Sequence, residues 1–177
     1  MLAGFRGIEK VTLSLHDHGL GLTFPVPKMI MKFWRAGTLS PELAQDREEF
    51  RQAQSRFKAA MDKSRPQGTA YAQYWVDRCE FAIGYIDTIE SVLRAASLEQ
   101  TARDAEAKKE EASASKSFKE AAEQARVAFD SSQKMLETMA RAAQDQSDRG
   151  ALATMVEYIY RPLKMEAERL ARDAGRH

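Results

Sequence analysis

A continuous apolar stripe over residues 69–98 constrains this chain more than any other feature. Large apolar side chains recur there at steps of three and four residues, which is the spacing of one face of an α-helix. The stripe comprises Tyr74, Trp75, Phe81, Ala82, Tyr85, Ile86, Ile89, Val92, Leu93 and Ala96, with Arg78 among them. So broad an apolar face has to be covered by neighbouring elements, and we predict that helices cover it.

Other segments repeat this helical spacing on either side of the stripe. Pro27 and Gly37 bracket a short first helix, and a second runs from the Ser40 N-cap to the break at "KSRPQG". A fourth helix returns from Phe118, and a fifth follows "DQSDRG" and is expected to kink at Pro162. The sequence therefore predicts an all-α fold. We expect an antiparallel helical bundle of four main helices plus one short helix, with the third and fourth helices paired as a long hairpin.

The stretch "EQTARDAEAKKEEASASKS", residues 99–117, is rich in Ala, Glu and Lys and contains no large apolar side chain. Such a segment is prone to form a helix but has nothing large to bury. We expect it to form the solvated tip of the hairpin, with its turn at "SASKS" and with no contribution to the core.

Strand-like alternation occurs only near the N-terminus, in "VTLSLHDHGLGLTF". Val11, Leu13 and Leu15 would share one face of an extended segment there. An isolated strand needs a partner for its backbone groups, and no second strand pattern follows downstream. We therefore divide the chain into two parts. Residues 1–24 form an extended N-terminal segment or the remnant of a preceding domain, and residues 25–177 form the helical bundle.

His16 and His18 have the spacing that places two imidazoles on one face of a strand, as in some zinc sites. Zinc needs at least a third protein ligand, and the only other histidine is the terminal His177. A polar strand face or loop is therefore the preferred interpretation, and no metal or other cofactor is expected. The carboxylates lie on solvated helical faces beside lysines and arginines, and no recognisable catalytic triad or elbow motif is present. We expect the chain as given to have no enzymatic activity.

The 27 Lys and Arg nearly balance the 26 Asp and Glu, for a formal net charge of +1. So small a charge creates no broad field that would attract nucleic acid or an anionic membrane, and neither partner is expected. No apolar run reaches the length of a membrane-spanning helix, and no export signal opens the chain. The single cysteine, Cys79, lies among apolar neighbours and is predicted to be in the core.

Aromatic side chains cluster near several predicted helix ends. The candidates for ligand or domain contact are Trp34, Tyr71, Tyr74, Trp75, Tyr158 and Tyr160. Core packing is the commoner role of such residues, but Tyr158 and Tyr160 are two apart on a helix and cannot both face one core. An antiparallel path would bring the candidates to the end of the bundle opposite the tip. We predict a docking surface at that end, with Trp34 or Trp75 partly exposed.

Three stretches resemble a family of bacterial carbohydrate-active proteins, the alpha-glucuronidase-like and related glycoside-hydrolase-like proteins. The segment "KFWRAGTLSPELAQDREEFRQAQSRFKAA" looks like their region just after a barrel domain, where an apolar helix ends in a glycine turn and the next helix begins. "YAQYWVDRCEFAIGYIDTIESVLRAA" is similar to their following helix, and "DQSDRGALATMVEYIYRPL" resembles their last one. The likeness covers about residues 28–170 and consists of helical patterns.

The resemblance implies a non-catalytic helical accessory or scaffold module of a carbohydrate-processing protein. Its expected partners are the catalytic barrel domain of the same or a longer protein and a carbohydrate, both contacted through the aromatic end. The N-terminal segment would then be the last strand or exit loop of the barrel. The chain would be periplasmic or extracellular if it is a fragment of an exported enzyme. The alternative is a stand-alone helical interaction or assembly protein that pairs through its long hairpin, which would also allow a homo-oligomer.

Overall fold

The computed structural model describes residues 1–17, 29–36 and 42–176, and the regular elements in those ranges are all helical. The helices are α1 (Leu2–Asp17), α2 (Met29–Ala36), α3 (Glu42–Met61), α4 (Pro66–Ala107), α5 (Glu111–Ala142), α6 (Gln146–Met155) and α7 (Arg161–Ala174), and a π-helical turn over Val156–Tyr160 lies between the last two. No strand occurs in the described residues. The predicted all-α helical bundle is confirmed.

The chain divides into two compact units. Among the described residues, the first unit contains 1–17, 42–86 and 134–154. The second unit contains 29–36, 87–133 and 155–176. The long helices α4 and α5 each contribute one segment to each unit.

In the first unit, α1 packs closely on α3 through two glycines. Gly4, Gly7 and Val11 are buried, and they recur at the spacing of one helical face. A Cβ atom built on Gly4 would lie 2.9 Å from Cζ of Phe57, which is itself fully buried. The absence of a side chain at Gly4 therefore lets α1 approach α3 closely enough for the backbone at Gly4 to pack on the Phe57 ring.

The prediction of an extended N-terminal segment is wrong for the residues that the structure describes there. Residues 2–17 form helix α1, and residues 18–24 lie outside the described residues. The alternation that suggested a strand does not place Val11 and Leu13 on one face, because Val11 is 1% exposed and Leu13 is 61% exposed. Side chains two positions apart on a helix point to different sides. The helical pattern was missed because its buried positions include glycines, which are poor helix formers.

In the second unit, one cluster of the core is built largely from small residues. Its buried members are Ala95, Ala102, Phe118, Ala121, Ala125 and Leu170. Ala102 and Phe118 come from α4 and α5, which meet across a short turn as an antiparallel pair. The prediction that residues 99–117 contribute nothing to the core is therefore wrong, because buried alanines allow close approach without large side chains.

The turn of this hairpin lies earlier than predicted, between the end of α4 at Ala107 and the start of α5 at Glu111. Lys109 adopts a positive φ of 63°, and the Glu110 N–H donates to the carbonyl oxygen of Ala105 at 2.9 Å. This is the hydrogen bonding of a left-handed helix C-terminus, which is usually made by glycine. The predicted turn at "SASKS" lies inside α5, since serine and alanine are tolerated in a helix.

The kink expected at Pro162 takes the form of a wider helical turn just before the proline. Arg161 N–H donates to the carbonyl oxygen of Val156, five residues earlier, and closes the π-helical turn. Proline has no N–H, and its ring excludes the carbonyl group four residues before it. The wider turn lies directly before Pro162, where the missing hydrogen bond and the excluded carbonyl group interrupt the regular α-helix.

Candidate functional site: an aromatic cluster and a buried carboxylate

The six aromatic candidates are distributed over the two units. Tyr71, Tyr74 and Trp75 lie on the α4 segment of the first unit, and Trp34, Tyr158 and Tyr160 lie in the second. Trp34 and Trp75 are both partly exposed, as predicted for at least one of them. The prediction of one shared docking end is not supported for Trp34, whose indole N–H donates to Glu99.

The three candidates of the first unit belong to one aromatic cluster, formed by Phe5, Phe57, Tyr71, Tyr74 and Trp75. The Phe5 ring lies 5.1 Å from both Phe57 and Trp75, and edge-to-face in each case. Tyr74 meets Trp75 at 5.5 Å, and Tyr71 meets it at 6.4 Å. Phe5 was missed at the level of sequence because residues 1–24 were interpreted as extended.

One side of the aromatic cluster reaches the surface. Tyr71 is 52% exposed, and its ring lies 6.2 Å from Phe5. One helical turn before Phe5, Leu2 is 69% exposed, and Met1 beside it is also exposed. We call the group of Met1, Leu2 and Tyr71 the docking patch. Packed rings hold Tyr71, and Met1 and Leu2 lie about one helical turn before Phe5 of the same cluster; exposed apolar side chains of this kind favour contact with another molecule.

The chain next to the docking patch is basic. Residues 56–65 comprise the end of α3 and the connection to α4, and they contain the exposed side chains of Arg56, Lys58, Lys63 and Arg65 and a single acidic residue, Asp62. The Arg56 guanidinium donates to the carbonyl oxygen of Ala3 at 3.0 Å, which ties this segment to the start of α1. We call residues 56–65 the basic turn. Its charge favours an acidic partner at the docking patch.

Beneath the aromatic cluster, the first unit contains a cavity of about 190 Å³. The described residues that line it are Ile8, Thr12, Phe50, Trp75, Arg78, Cys79, Phe81 and Ala82. Cys79 is fully buried, as predicted, and burial raises the pKa of its thiol to about 12. The thiol is therefore neutral at physiological pH and is no activated nucleophile.

In the second unit, Glu99 is a buried carboxylate that receives hydrogen bonds from three helices. The Trp34 indole Nε1–H of α2 donates at 3.0 Å, and the Arg169 guanidinium of α7 donates at 2.8 Å. Arg103, one turn along α4, donates through two nitrogens at 2.9 and 2.6 Å. Glu99 is only 8% exposed, so its charge depends on these donors.

Two opposing effects determine the pKa of Glu99. Burial alone would raise the pKa of this carboxyl, but the hydrogen bonds from Arg169, Trp34 and Arg103 outweigh it and lower the pKa to about 2. For Arg169, burial alone would lower the pKa, and the hydrogen bonds to Glu99 and Glu166 raise it instead. Both groups are therefore ionised at neutral pH. The carboxylate accepts four donor contacts, and this saturation is typical of a structural ion cluster.

The Trp34–Glu99 contact corrects the predicted arrangement. Glu99 is the first residue of the stretch that was expected to form the hairpin tip, whereas Trp34 was expected at the opposite end. A buried indole N–H needs an acceptor, and helical periodicity does not show which distant carboxylate supplies it. Of the other candidates in this unit, Tyr160 packs on Phe129 at 5.0 Å, and Tyr158 is partly exposed.

The histidine pair receives no support as a strand site. The backbone of His16 is helical, and His18 and His177 lie outside the described residues. Within the described ranges, no group of three or more His, Cys, Asp or Glu side chains is arranged to hold a metal ion. Over the same ranges, no helix combines the length and apolar character needed to cross a membrane.

No protein-family model matches this chain, and no curated protein or solved structure matches it either. The resemblance to glycoside-hydrolase-like proteins therefore stays a prediction.

Proposed function

We propose that this chain is a non-catalytic helical interaction module that binds an acidic segment of a partner protein at its docking patch. The observation that carries the proposal is the half-exposed ring of Tyr71, which lies 6.2 Å from Phe5 in the packed aromatic cluster; Leu2, one helical turn before Phe5, is exposed as well. Interface hot spots are enriched in aromatic residues whose burial costs little conformational entropy. Tyr71 meets that description because its neighbours already restrict its ring.

The charge of the basic turn indicates the chemistry of the partner. Four exposed basic residues and one acidic residue lie in positions 56–65, although the whole chain is nearly neutral. Acidic side chains on the partner would steer it to this surface, and an apolar or aromatic side chain would pack against Tyr71. In the version that the family resemblance implies, the partner is a catalytic barrel domain.

A carbohydrate is the second candidate for the docking patch, because an exposed tyrosine ring is also a surface on which sugars stack. The geometry favours a protein. Trp75 lies at 78° to Tyr71, so the two rings form no flat platform of parallel faces. Tyr71 alone would present a stacking surface to a sugar, whereas the neighbouring Leu2 and Met1 side chains add apolar area that suits a protein side chain.

The test selects short random peptides displayed on phage against the immobilised full chain. We expect the enriched peptides to combine Asp or Glu with one aromatic or aliphatic residue, and to lose at least about tenfold in affinity for Tyr71→Ala. Met165→Ala is the matched control, since it removes another exposed apolar side chain, 69% accessible, from the second unit. Peptides that bind Tyr71→Ala as tightly as the original chain would contradict the proposal.

A parallel arm tests the carbohydrate candidate by affinity electrophoresis in gels that contain hydroxyethylcellulose. Retardation of the original chain that is lost in Tyr71→Ala would favour carbohydrate over protein. Size-exclusion chromatography of the same variants adds a third measurement. Self-association lost in Tyr71→Ala would show that the docking patch binds a second copy, and would overturn the assignment of an acidic partner.

A further inference from the structure

The cavity of the first unit combines apolar walls with two polar groups that make no hydrogen bond or ion pair among the described residues. Ile8, Phe50, Phe81 and Ala82 supply the apolar walls, and its volume is about 190 Å³. A protein cavity of about 150 Å³ is large enough to hold benzene. This cavity therefore has room for a ring of that size together with a small polar substituent.

The first unused group is the indole N–H of Trp75. This nitrogen is fully buried, and no acceptor lies within hydrogen-bond distance among the described residues. Buried donors are nearly always paired in folded proteins, so an unpaired one beside a cavity calls for an explanation. A bound molecule with an acceptor oxygen would recover the free energy that the unpaired donor costs.

The second group is the guanidinium of Arg78, one helical turn after Trp75 on α4. It lies 5.9 Å from the ring centres of both Tyr74 and Phe81, which hold it over aromatic faces. No carboxylate of the described residues lies within ion-pair distance of it. The nearby Cys79 thiol is neutral and adds no charge. Among the described residues, the positive charge of Arg78 therefore has no carboxylate partner, and an anion in the cavity would supply one.

We propose that this cavity binds a small monocarboxylate whose apolar body is about the size of a benzene ring. The carboxylate accepts a hydrogen bond from Trp75 Nε1 and pairs with the Arg78 guanidinium, while the body fills the space between Ile8 and Phe50. The proposal does not depend on the docking patch, because Leu2 and Tyr71 are not among the described residues that line the cavity.

The experiment titrates benzoate into the full ¹⁵N-labelled chain and follows the two indole N–H resonances by NMR, with Trp34→Phe used to assign them. We expect a saturable downfield shift of the Trp75 indole proton. This N–H has no acceptor among the described residues of the ligand-free chain, and it gains the carboxylate as an acceptor when benzoate binds. The dissociation constant should be about 1 mM or tighter, as is usual for a ligand of about nine non-hydrogen atoms. Toluene, which has the same ring but no carboxylate, should bind at least about tenfold more weakly.

Two variants separate the contributions of the polar groups. Trp75→Phe retains an aromatic ring without the donor, and Arg78→Gln removes the charge. Each should weaken benzoate binding, Arg78→Gln by about tenfold or more. Binding to Trp75→Phe, which lacks the reporting indole, is followed through the backbone amide resonances of Cys79 and Ala82 in the same ¹⁵N-labelled samples. Arg94→Gln is the control, because it removes an exposed arginine of α4 that does not line the cavity. Absence of a saturable shift would overturn the proposal. Equal binding of toluene and benzoate, measured on the unaltered chain, would overturn the carboxylate assignment, and so would full benzoate affinity in a folded Arg78→Gln variant.

Discussion

The indole N–H of Trp34 donates a hydrogen bond to the carboxylate of Glu99 at 3.0 Å, across 65 positions of the sequence. The same oxygen of Glu99 accepts from Arg169 at 2.8 Å, so one buried carboxylate joins α2, α4 and α7 within the second unit. Arg169 also pairs with Glu166 at 2.6 Å and with Asp173 at 3.2 Å, both on its own helix. The hydrogen bond from Trp34 ties the short helix α2, whose Ile30 is also fully buried, to α4.

Replacing Glu99 by Gln should lower the free energy of unfolding by about 2 kcal/mol. The glutamine amide keeps the shape of the side chain but removes the negative charge to which Arg169 and Trp34 donate hydrogen bonds. Arg169 still forms ion pairs with Glu166 and Asp173. Urea unfolding followed by circular dichroism measures the change. Glu123→Gln is the matched control, because it removes the carboxylate of an exposed ion pair with Arg126 and should change stability far less than Glu99→Gln does. Equal effects of the two substitutions would contradict a special role for Glu99.

The contribution of Glu99 should depend on pH in a defined direction. Its pKa is lowered from an ordinary value of 4.5 to about 2, so the folded chain holds the proton less tightly than the unfolded chain. The stabilisation is therefore fully present above about pH 4.5 and is lost as the pH falls toward 2. Unfolding experiments between pH 6 and about pH 2.5 should show the stability difference between the original chain and Glu99→Gln shrinking as the pH falls. A difference that stays constant or grows over this range would contradict the assigned pKa.

Substitution of Gly4 by Ala should destabilise the chain by about 1–3 kcal/mol. The added Cβ would lie 2.9 Å from Cζ of Phe57, whose ring is buried and also touches Phe5 and Trp75. Gly150→Ala is the control, because no atom lies within 4 Å of a Cβ built there and the residue is inside α6. That substitution should stabilise by about 0.5–1 kcal/mol. Thermal unfolding measures both variants: the midpoint temperature should fall for Gly4→Ala and rise for Gly150→Ala, and a fall or a rise in both would contradict the prediction.

Lys109→Gly should stabilise the hairpin by about 1 kcal/mol. Lys109 has a φ of 63°, a conformation that costs an L residue with a Cβ about 1–2 kcal/mol and costs glycine little. Lys108→Gly is the neighbouring control, and it should give no such gain because Lys108 has no positive φ. Chemical unfolding compares the two variants. A loss of stability in Lys109→Gly as large as that in Lys108→Gly would contradict the assigned turn.

The Cys79 thiol should react very slowly with a disulfide reagent in the native chain at pH 8 and rapidly in urea. It is fully buried, and burial raises its pKa to about 12, so both access and the thiolate fraction are low. The release of thionitrobenzoate from Ellman's reagent measures the two rates. Comparable rates in the native and the unfolded chain would contradict the burial of Cys79.

Helical periodicity determined the class of fold and much of the core from sequence alone. The stripe that includes Phe81, Ile86 and Ile89 is buried as predicted, because a repeat of three and four residues records which side of a helix faces other helices. The burial of Cys79 followed from the same pattern. These features are local, and each depends only on residues within a few turns of one another.

Tertiary structure alone decided the features that carry the functional inferences. Helix α1 depends on Gly4 and Gly7, which are poor helix formers by themselves and are favoured only because α3 packs against them. The Trp34–Glu99 contact and the cavity beside Trp75 and Arg78 bring together residues from separate helices, and sequence spacing does not encode which helices meet. Periodicity specifies the buried side of each helix, whereas the fit of small and large side chains between helices selects its neighbour.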